Sequence, residues 1–158
     1  MEEKTNAMRI LDRYKITYAS HIIGPPDCAV SGIEAAALLE AEPERVFKTL
    51  VTEGKSKKNY VFMVPVDKEL DLKKAAEAAG EKSVEMIKSK ELLPLTGYVH
   101  GGCSPVGMKK QFRTFVNATA AEYPTVFFSA GRIGLQIEMS ISDLKKAVPY
   151  EFRDIVKE

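Results

Sequence analysis

Cysteine is scarce in this 158-residue chain: only Cys28 and Cys103 are present, beside two histidines, His21 and His100. So few sulfurs give no disulfide framework and fit a reducing compartment. The cysteines and histidines show no zinc-ligand spacing, so neither a metal nor another cofactor is expected. No run of about 18 apolar residues occurs, which excludes a membrane-spanning helix. The Met1-Glu2-Glu3-Lys4 start lacks the basic-then-apolar profile of a secretion signal. The expected location is therefore the cytoplasm, with neither a membrane nor DNA as partner. An excess of charge is missing too: 23 Lys and Arg stand against 22 Asp and Glu, for a net charge of +1. Any polyanion must be met by a local patch rather than by a global field. Internal repeats, low-complexity tracts and linkers are likewise absent. The chain does have an ordinary globular composition, 45% hydrophobic and 28% charged, over a length that suits one domain spanning 1–158.

Local signals place the elements. Thr5 or Asn6 caps a helix through Tyr14, and Ser31-Gly32-Ile33-Glu34 is a capping box opening a helix toward Glu40. Val46 to Thr52 and Tyr60 to Val66 read as strands joined by a loop carrying Lys55, Lys57 and Lys58, a solvated tip. Asp71 caps a helix that Gly80 ends, and Ser89 caps a short helix closed by Pro94. Strands are then expected at Tyr98–His100, Phe112–Val116, Thr125–Ser129 and Leu135–Met139, the last with apolar residues alternating against Gln136 and Glu138. Ser140 or Ser142 opens a final helix, interrupted at Pro149 and resumed to Val156. Short strands with peripheral helices give an α+β class with a mixed or barrel-like sheet.

Six of the ten glycines fall between Gly97 and Gly134. In Gly101-Gly102-Cys103-Ser104-Pro105-Val106-Gly107, followed by Lys109-Lys110, backbone N–H groups can converge on an anion. It is not a P-loop, because no Gly-Lys-Ser/Thr ending follows. Gly131 and Gly134 are read equally well as hairpin turns. A Ser104 nucleophile is disfavoured, since the next residue, Pro105, has no N–H for an oxyanion. Cys103 reads as a buried, inert thiol beside a surface His100, and nothing near Cys28 would activate it. Lys48 is the odd residue: it interrupts the apolar run Val46-Phe47-Lys48-Thr49-Leu50-Val51. It is either a lysine snorkelling at a sheet edge or a cation held in a cleft.

With Lys4-Thr5-Asn6-Ala7, Val46-Phe47-Lys48-Thr49-Leu50, Glu69-Leu70-Asp71-Leu72-Lys73-Lys74, Val84-Glu85-Met86, Thr96-Gly97-Tyr98-Val99, Gly101 through Lys110, and Ser129-Ala130-Gly131 through Glu138 in this order, the chain resembles the YbaK/EbsC family. These are freestanding aminoacyl-tRNA deacylases related to the editing domain inserted in bacterial prolyl-tRNA synthetases, and the likeness runs from about Lys4 to Val156. The resemblance implies a compact α+β domain around a bent, barrel-like mixed sheet. It also implies removal of cysteine from Cys-tRNA(Pro) and Cys-tRNA(Cys) at the acceptor end, with no cofactor and with prolyl-tRNA synthetase as a possible partner. It makes Lys48 the catalytic residue and puts Thr49, Gly101, Gly102, Ser104, Gly107, Ser129, Gly131 and Gln136 in the substrate pocket. For the cysteine-specific branch the resemblance further implies that the enzyme contributes no nucleophile: the substrate's thiol attacks its own carbonyl, and the cysteine leaves as a thiolactone.

Three departures from the family pattern bear on which amino acid is removed. Ile23 stands in place of a pocket tyrosine, Gln136 in place of an acid, and Ile133 in place of a basic residue before Gly134. The rival readings are a water-using Ala-tRNA(Pro) deacylase, a non-catalytic binder of tRNA ends or nucleotides, and a structural module.

Overall fold

Thr5 lies in extended backbone and its hydroxyl accepts the Met8 N–H at 3.2 Å, so α1 (Asn6–Arg13) begins where the sequence asks it to. The same hydroxyl donates to the Ala130 carbonyl at 2.6 Å and ties the helix to a strand far along the chain. This computed structural model describes residues 4–158. After α1 come β1 (Ala19–Ile22), α2 (Gly32–Leu38), β2 (Phe47–Gly54), β3 (Asn59–Pro65), α3 (Leu72–Ala79), β4 (Val84–Met86) and α4 (Ser89–Thr96). Then follow β5 (Arg113–Asn117), β6 (Val126–Arg132), β7 (Leu135–Met139), α5 (Ile141–Leu144) and β8 (Tyr150–Arg153). The capping box at Ser31 and the Asp71 cap both form, and Gly80 ends α3 in the left-handed region.

The strands make two sheets. One is antiparallel, in the order β1-β7-β6; the other is mixed, in the order β4-β2-β3-β5-β8, with β5 parallel to both β3 and β8. A single parallel bridge, Val46 with Phe127, joins them. The expected barrel-like closure is therefore not found among the described residues. Pro43 opens a 3-10 turn, Pro43–Arg45, immediately before Val46, so the bridge does not extend backwards, and beyond it β2 pairs with β3 and β4 while lying beside β6 without pairing. Between the sheets lies the main core, in which Phe47, Met63, Val116, Phe128, Leu135, Ile137 and Met139 are buried against α1. A second core sits under α3, where the Phe62 and Phe115 rings stack with centroids 5.2 Å apart.

Further expectations fail as well: Lys88, not Ser89, is the N-cap of α4. The helix opened at Ser89 does not close at Pro94 but runs through it to Thr96, with Gly97 at φ 89° as the stop. The carbonyl that Pro94 leaves unbonded, on Lys90, lies on an exposed residue where water can serve it. Tyr98–His100 is not a strand, because the chain turns at once into the glycine loop while Tyr98 is buried with its hydroxyl donating to the Val106 carbonyl. The last helix is only Ile141–Leu144; Pro149 forces the chain to extend, and Tyr150–Arg153 adds β8 to the sheet edge.

Candidate active site

The face of β7 that turns away from the core carries Gln136, and the register sets Gln136 opposite Ser129 of β6 and His21 of β1. One residue row further along, Glu138 accepts from the Thr125 hydroxyl at 2.7 Å and meets His21 Nε2 at 3.0 Å and Arg45 at 3.5 Å. The Thr125 hydrogen bond first, then His21 and Arg45, holds the Glu138 carboxyl below its ordinary pKa. This network fastens the 3-10 turn before β2 onto the antiparallel sheet. It thereby holds the start of β2 beside the antiparallel sheet, across the space that Gln136 faces.

That space is a cavity of about 500 Å³. Its walls are β2 from Phe47 to Val51, the start of α2, the end of β4 running into α4, the turn at His100 and Gly101, and Ser129 with Gln136. Lys48, Thr49, Gly101, Ser129 and Gln136 are thus brought together as the sequence suggests. Lys48 is half-buried on an apolar strand and, among the described residues, forms no ion pair. No Asp or Glu is in the wall. Two polar atoms buried here, Thr49 Oγ1 and Gln136 Oε1, have no hydrogen-bond partner among the described residues. Leaving such an atom unpaired costs about 1–3 kcal/mol, which a polar ligand recovers.

The other expected residues lie behind the wall. Ser104 is fully buried, and its hydroxyl accepts the Val106 N–H at 3.2 Å, a turn-forming bond. The Gly102 N–H is committed to the Val99 carbonyl at 3.0 Å. Gly107 packs under Asn6 and the Tyr98 hydroxyl, where a Cβ would come within 2.8 Å of either. The Gly131 N–H donates to the Ser129 hydroxyl at 3.1 Å, which orients that cavity side chain from the second row. Cys103 is in the wall, with burial pushing its thiol to about 12, while Cys28 is exposed. No cluster of three His, Cys, Asp or Glu among the described residues is placed to hold a metal. Sequence reading missed the contributions of Met86, Ile87 and Lys88, and noted Ile23 only as a departure. Nothing local marks them, since the fold carries them there from distant segments.

A largely apolar pocket whose wall holds Lys48 and Lys88, neither in an ion pair among the described residues, with two unsatisfied polar atoms and an inert thiol, suits an already activated ester next to a phosphate. The sequence profile of the aminoacyl-tRNA editing domain matches residues 27–147. Over 154 residues, 98% of this chain and 94% of its relative, the sequence is 41% identical to the Enterococcus faecalis protein EbsC, whose name proposes a Cys-tRNA(Pro)/Cys-tRNA(Cys) deacylase. It is 25% identical to YwhH of Bacillus subtilis over 113 residues, 72% of this chain and 71% of that one. A solved structure described as a proposed trans-editing enzyme for prolyl-tRNA synthetase superposes with a TM-score of 0.82, covering 99% of this chain and 100% of that one at 22% identity, a likeness of fold. By profile and by relative, this chain belongs to the aminoacyl-tRNA editing domain family.

Proposed function

We propose that this chain, as a single editing domain over 1–158, removes cysteine from Cys-tRNA(Pro) and Cys-tRNA(Cys). The observation that carries the reading is the unpaired Lys48 ammonium in an apolar cavity that holds unsatisfied polar atoms and no activated nucleophile. The acceptor end of the tRNA enters the cavity, and Lys48 neutralises a phosphate or the ribose region beside the ester. Thr49, Ser129 and Gln136 offer polar atoms to the aminoacyl group, and Gly101 lets the chain approach it closely. Holding thiol against carbonyl supplies the intramolecular advantage that a protein nucleophile would otherwise give. In that step the new bond is sulfur to carbonyl carbon and the broken bond is carbon to ribose oxygen. The thiol proton ends on that oxygen, and a thiolactone leaves. Lys48 is the catalytic residue; Gly102, Ser104, Gly107 and Gly131 serve the site by shaping the loop and strand that face it.

This reading places the protein in the cytoplasm, with the tRNA acceptor end as partner and prolyl-tRNA synthetase as the source of tRNA selectivity. The test is a deacylation panel of Cys-, Ser-, Ala- and Pro-charged tRNAs with the released product trapped early. Cys-tRNA should be cleared far faster than Ser-tRNA, because a thiol of pKa about 8.5 is partly ionised at neutral pH and a hydroxyl is not. Clearance of Ala-tRNA as fast as Cys-tRNA would make water the attacker, and Ile23 and Gln136 would be the first residues to exchange.

A further inference from the structure

The free edge of β2 offers this site something that no side chain does. Main-chain groups along a strand point alternately to one neighbour and the other. The Val46 carbonyl accepts the Val66 N–H at 2.8 Å and the Gly54 N–H donates to the Lys58 carbonyl at 2.8 Å, so even-numbered residues of this run face β3. The Val51 carbonyl accepts the Ile87 N–H at 3.3 Å on the opposite side. Thr49 therefore turns its N–H and C=O away from β3. On that side β4 pairs only with Thr52, Glu53 and Gly54, and the bridge from β6 falls at Val46, just before β2 begins; β6 then runs close beside the start of β2 with no further ladder pair among the described residues. Thr49, whose register partner on β3 is Met63, lies in the gap, in the cavity wall, with no ladder partner on this outer side among the described residues and with its Oγ1 buried and unpaired as well. An unpaired strand edge is a template for an extended group.

Resting on the deacylase reading, we propose that the substrate's aminoacyl group pairs with this edge as though it were one more strand residue. An α-amino ester carries an N–H donor and a carbonyl acceptor on either side of one carbon, the set that two opposed antiparallel residues exchange. The Thr49 C=O accepts from the α-amine, and the Thr49 N–H donates to the ester carbonyl oxygen. Negative charge collects on that oxygen as the carbon–sulfur bond forms, so the second bond strengthens in the transition state. Thr49 thereby both orients the amino acid and serves as a main-chain oxyanion donor. The Gly102 N–H, spent on Val99, is not free for that role.

The experiment replaces Thr49 by its α-hydroxy acid, which exchanges the N–H for oxygen and keeps the side chain. Phe62→phenyllactic acid in β3 is the control, because it costs a ladder group away from the cavity. In the full chain the change at Thr49 should lower kcat for Cys-tRNA by about a hundredfold with KM little altered, the scale of one lost oxyanion donor. The control should lower thermal stability and leave kcat within about threefold. A second arm charges the same tRNA with 3-mercaptopropionate, which keeps the thiol and lacks the amine. Its kcat/KM in the native protein should fall at least about tenfold, the discrimination expected when a buried polar group loses its partner. Unchanged kcat at position 49, or equal cleavage of the amine-free ester, overturns the proposal.

If the native protein cleaves no charged tRNA, the deacylase reading fails separately. Calorimetric titration with the stable amide 3′-cysteinylamino-3′-deoxyadenosine and its amine-free analogue then decides. Tighter binding of the amine-bearing compound keeps the strand-edge pairing, and equal binding overturns it.

Discussion

On the proposed function, the chemistry of this molecule is concentrated at Lys48. Lys48 is half-buried on β2, and the cavity wall around it holds no carboxylate. Lys48→Ala should lower kcat/KM for Cys-tRNA at least about a hundredfold while the thermal midpoint stays within a few degrees. Lys48→Arg should fail as well, since a planar fork does not replace a compact point charge. Turnover near that of the native protein in folded Lys48→Ala would remove the lysine from the site. The two thiols make the opposite case. Burial pushes the Cys103 thiol to about 12, so the thiolate that an alkylating agent needs is absent at neutral pH, while Cys28 is exposed. Iodoacetamide at pH 7.5 should label Cys28 alone, as read by peptide mass. The labelled protein, and one treated with chelator, should keep full activity. Loss of more than about tenfold with chelator would reveal a metal in the reaction.

At the scale of elements, the β6–β7 turn shows how the cavity wall is set. Gly134 has φ 82°, and a Cβ there would stand 2.1 Å from the Gly24 carbonyl oxygen. The Gly134 carbonyl in turn accepts the Ile23 N–H at 2.8 Å, so this turn fixes where Ile23 enters the wall. Gly134→Ala should cost at least about 2 kcal/mol in a denaturant titration, from backbone strain and steric overlap together, and should raise KM by displacing Ile23. An unchanged midpoint would show that the turn yields without cost. The sequence could not announce this contact, because Gly24 and Gly134 meet only in the fold. Helices whose signals lie within four residues were legible: the Thr5 cap, the Ser31-Glu34 box, and Asp71 with Gly80. β8 was not, because Tyr150-Glu151-Phe152 carries no turn chemistry and its partner β5 lies over thirty residues upstream. Lys48 was legible as a charge inside an apolar strand, whereas Ile87 and Lys88 line the cavity only because β4 pairs with β2. The glycine loop was legible as a backbone device, and the structure divides it: Gly101 lines the cavity, while the Gly102 N–H is committed to Val99 within the loop.

For the whole molecule the deciding quantity is charge. A net charge of +1 gives no long-range field toward RNA, and the cations in the cavity wall are Lys48 and Lys88, with His100 at its mouth. Binding RNA through Z phosphate contacts makes log affinity fall with log salt at a slope of about −0.7Z for single strands and −0.9Z for duplex. Two or three contacts confined to the single-stranded acceptor end predict a slope no steeper than about −2 for kcat/KM. Phosphate contacts alone carry no sequence information, so the isolated chain should clear Cys-tRNA(Pro) and Cys-tRNA(Cys) at rates within about threefold of each other. Prolyl-tRNA synthetase, added in excess, should then shift that ratio toward Cys-tRNA(Pro) by presenting its own tRNA, at a rate that saturates with synthetase. Single-turnover assays from 50 to 300 mM potassium chloride, with and without the synthetase, measure all three quantities. A slope near −6, or a strong preference for one tRNA by the chain alone, would mean that a duplex-gripping surface exists outside the cavity. The lysines at the β2–β3 tip, Lys55, Lys57 and Lys58, would then be the first to replace, since that loop is the densest exposed basic run along the chain. A shallow slope with no response to the synthetase would instead leave tRNA choice to whichever acceptor ends are free in solution, making the domain a general scavenger of cysteinyl esters.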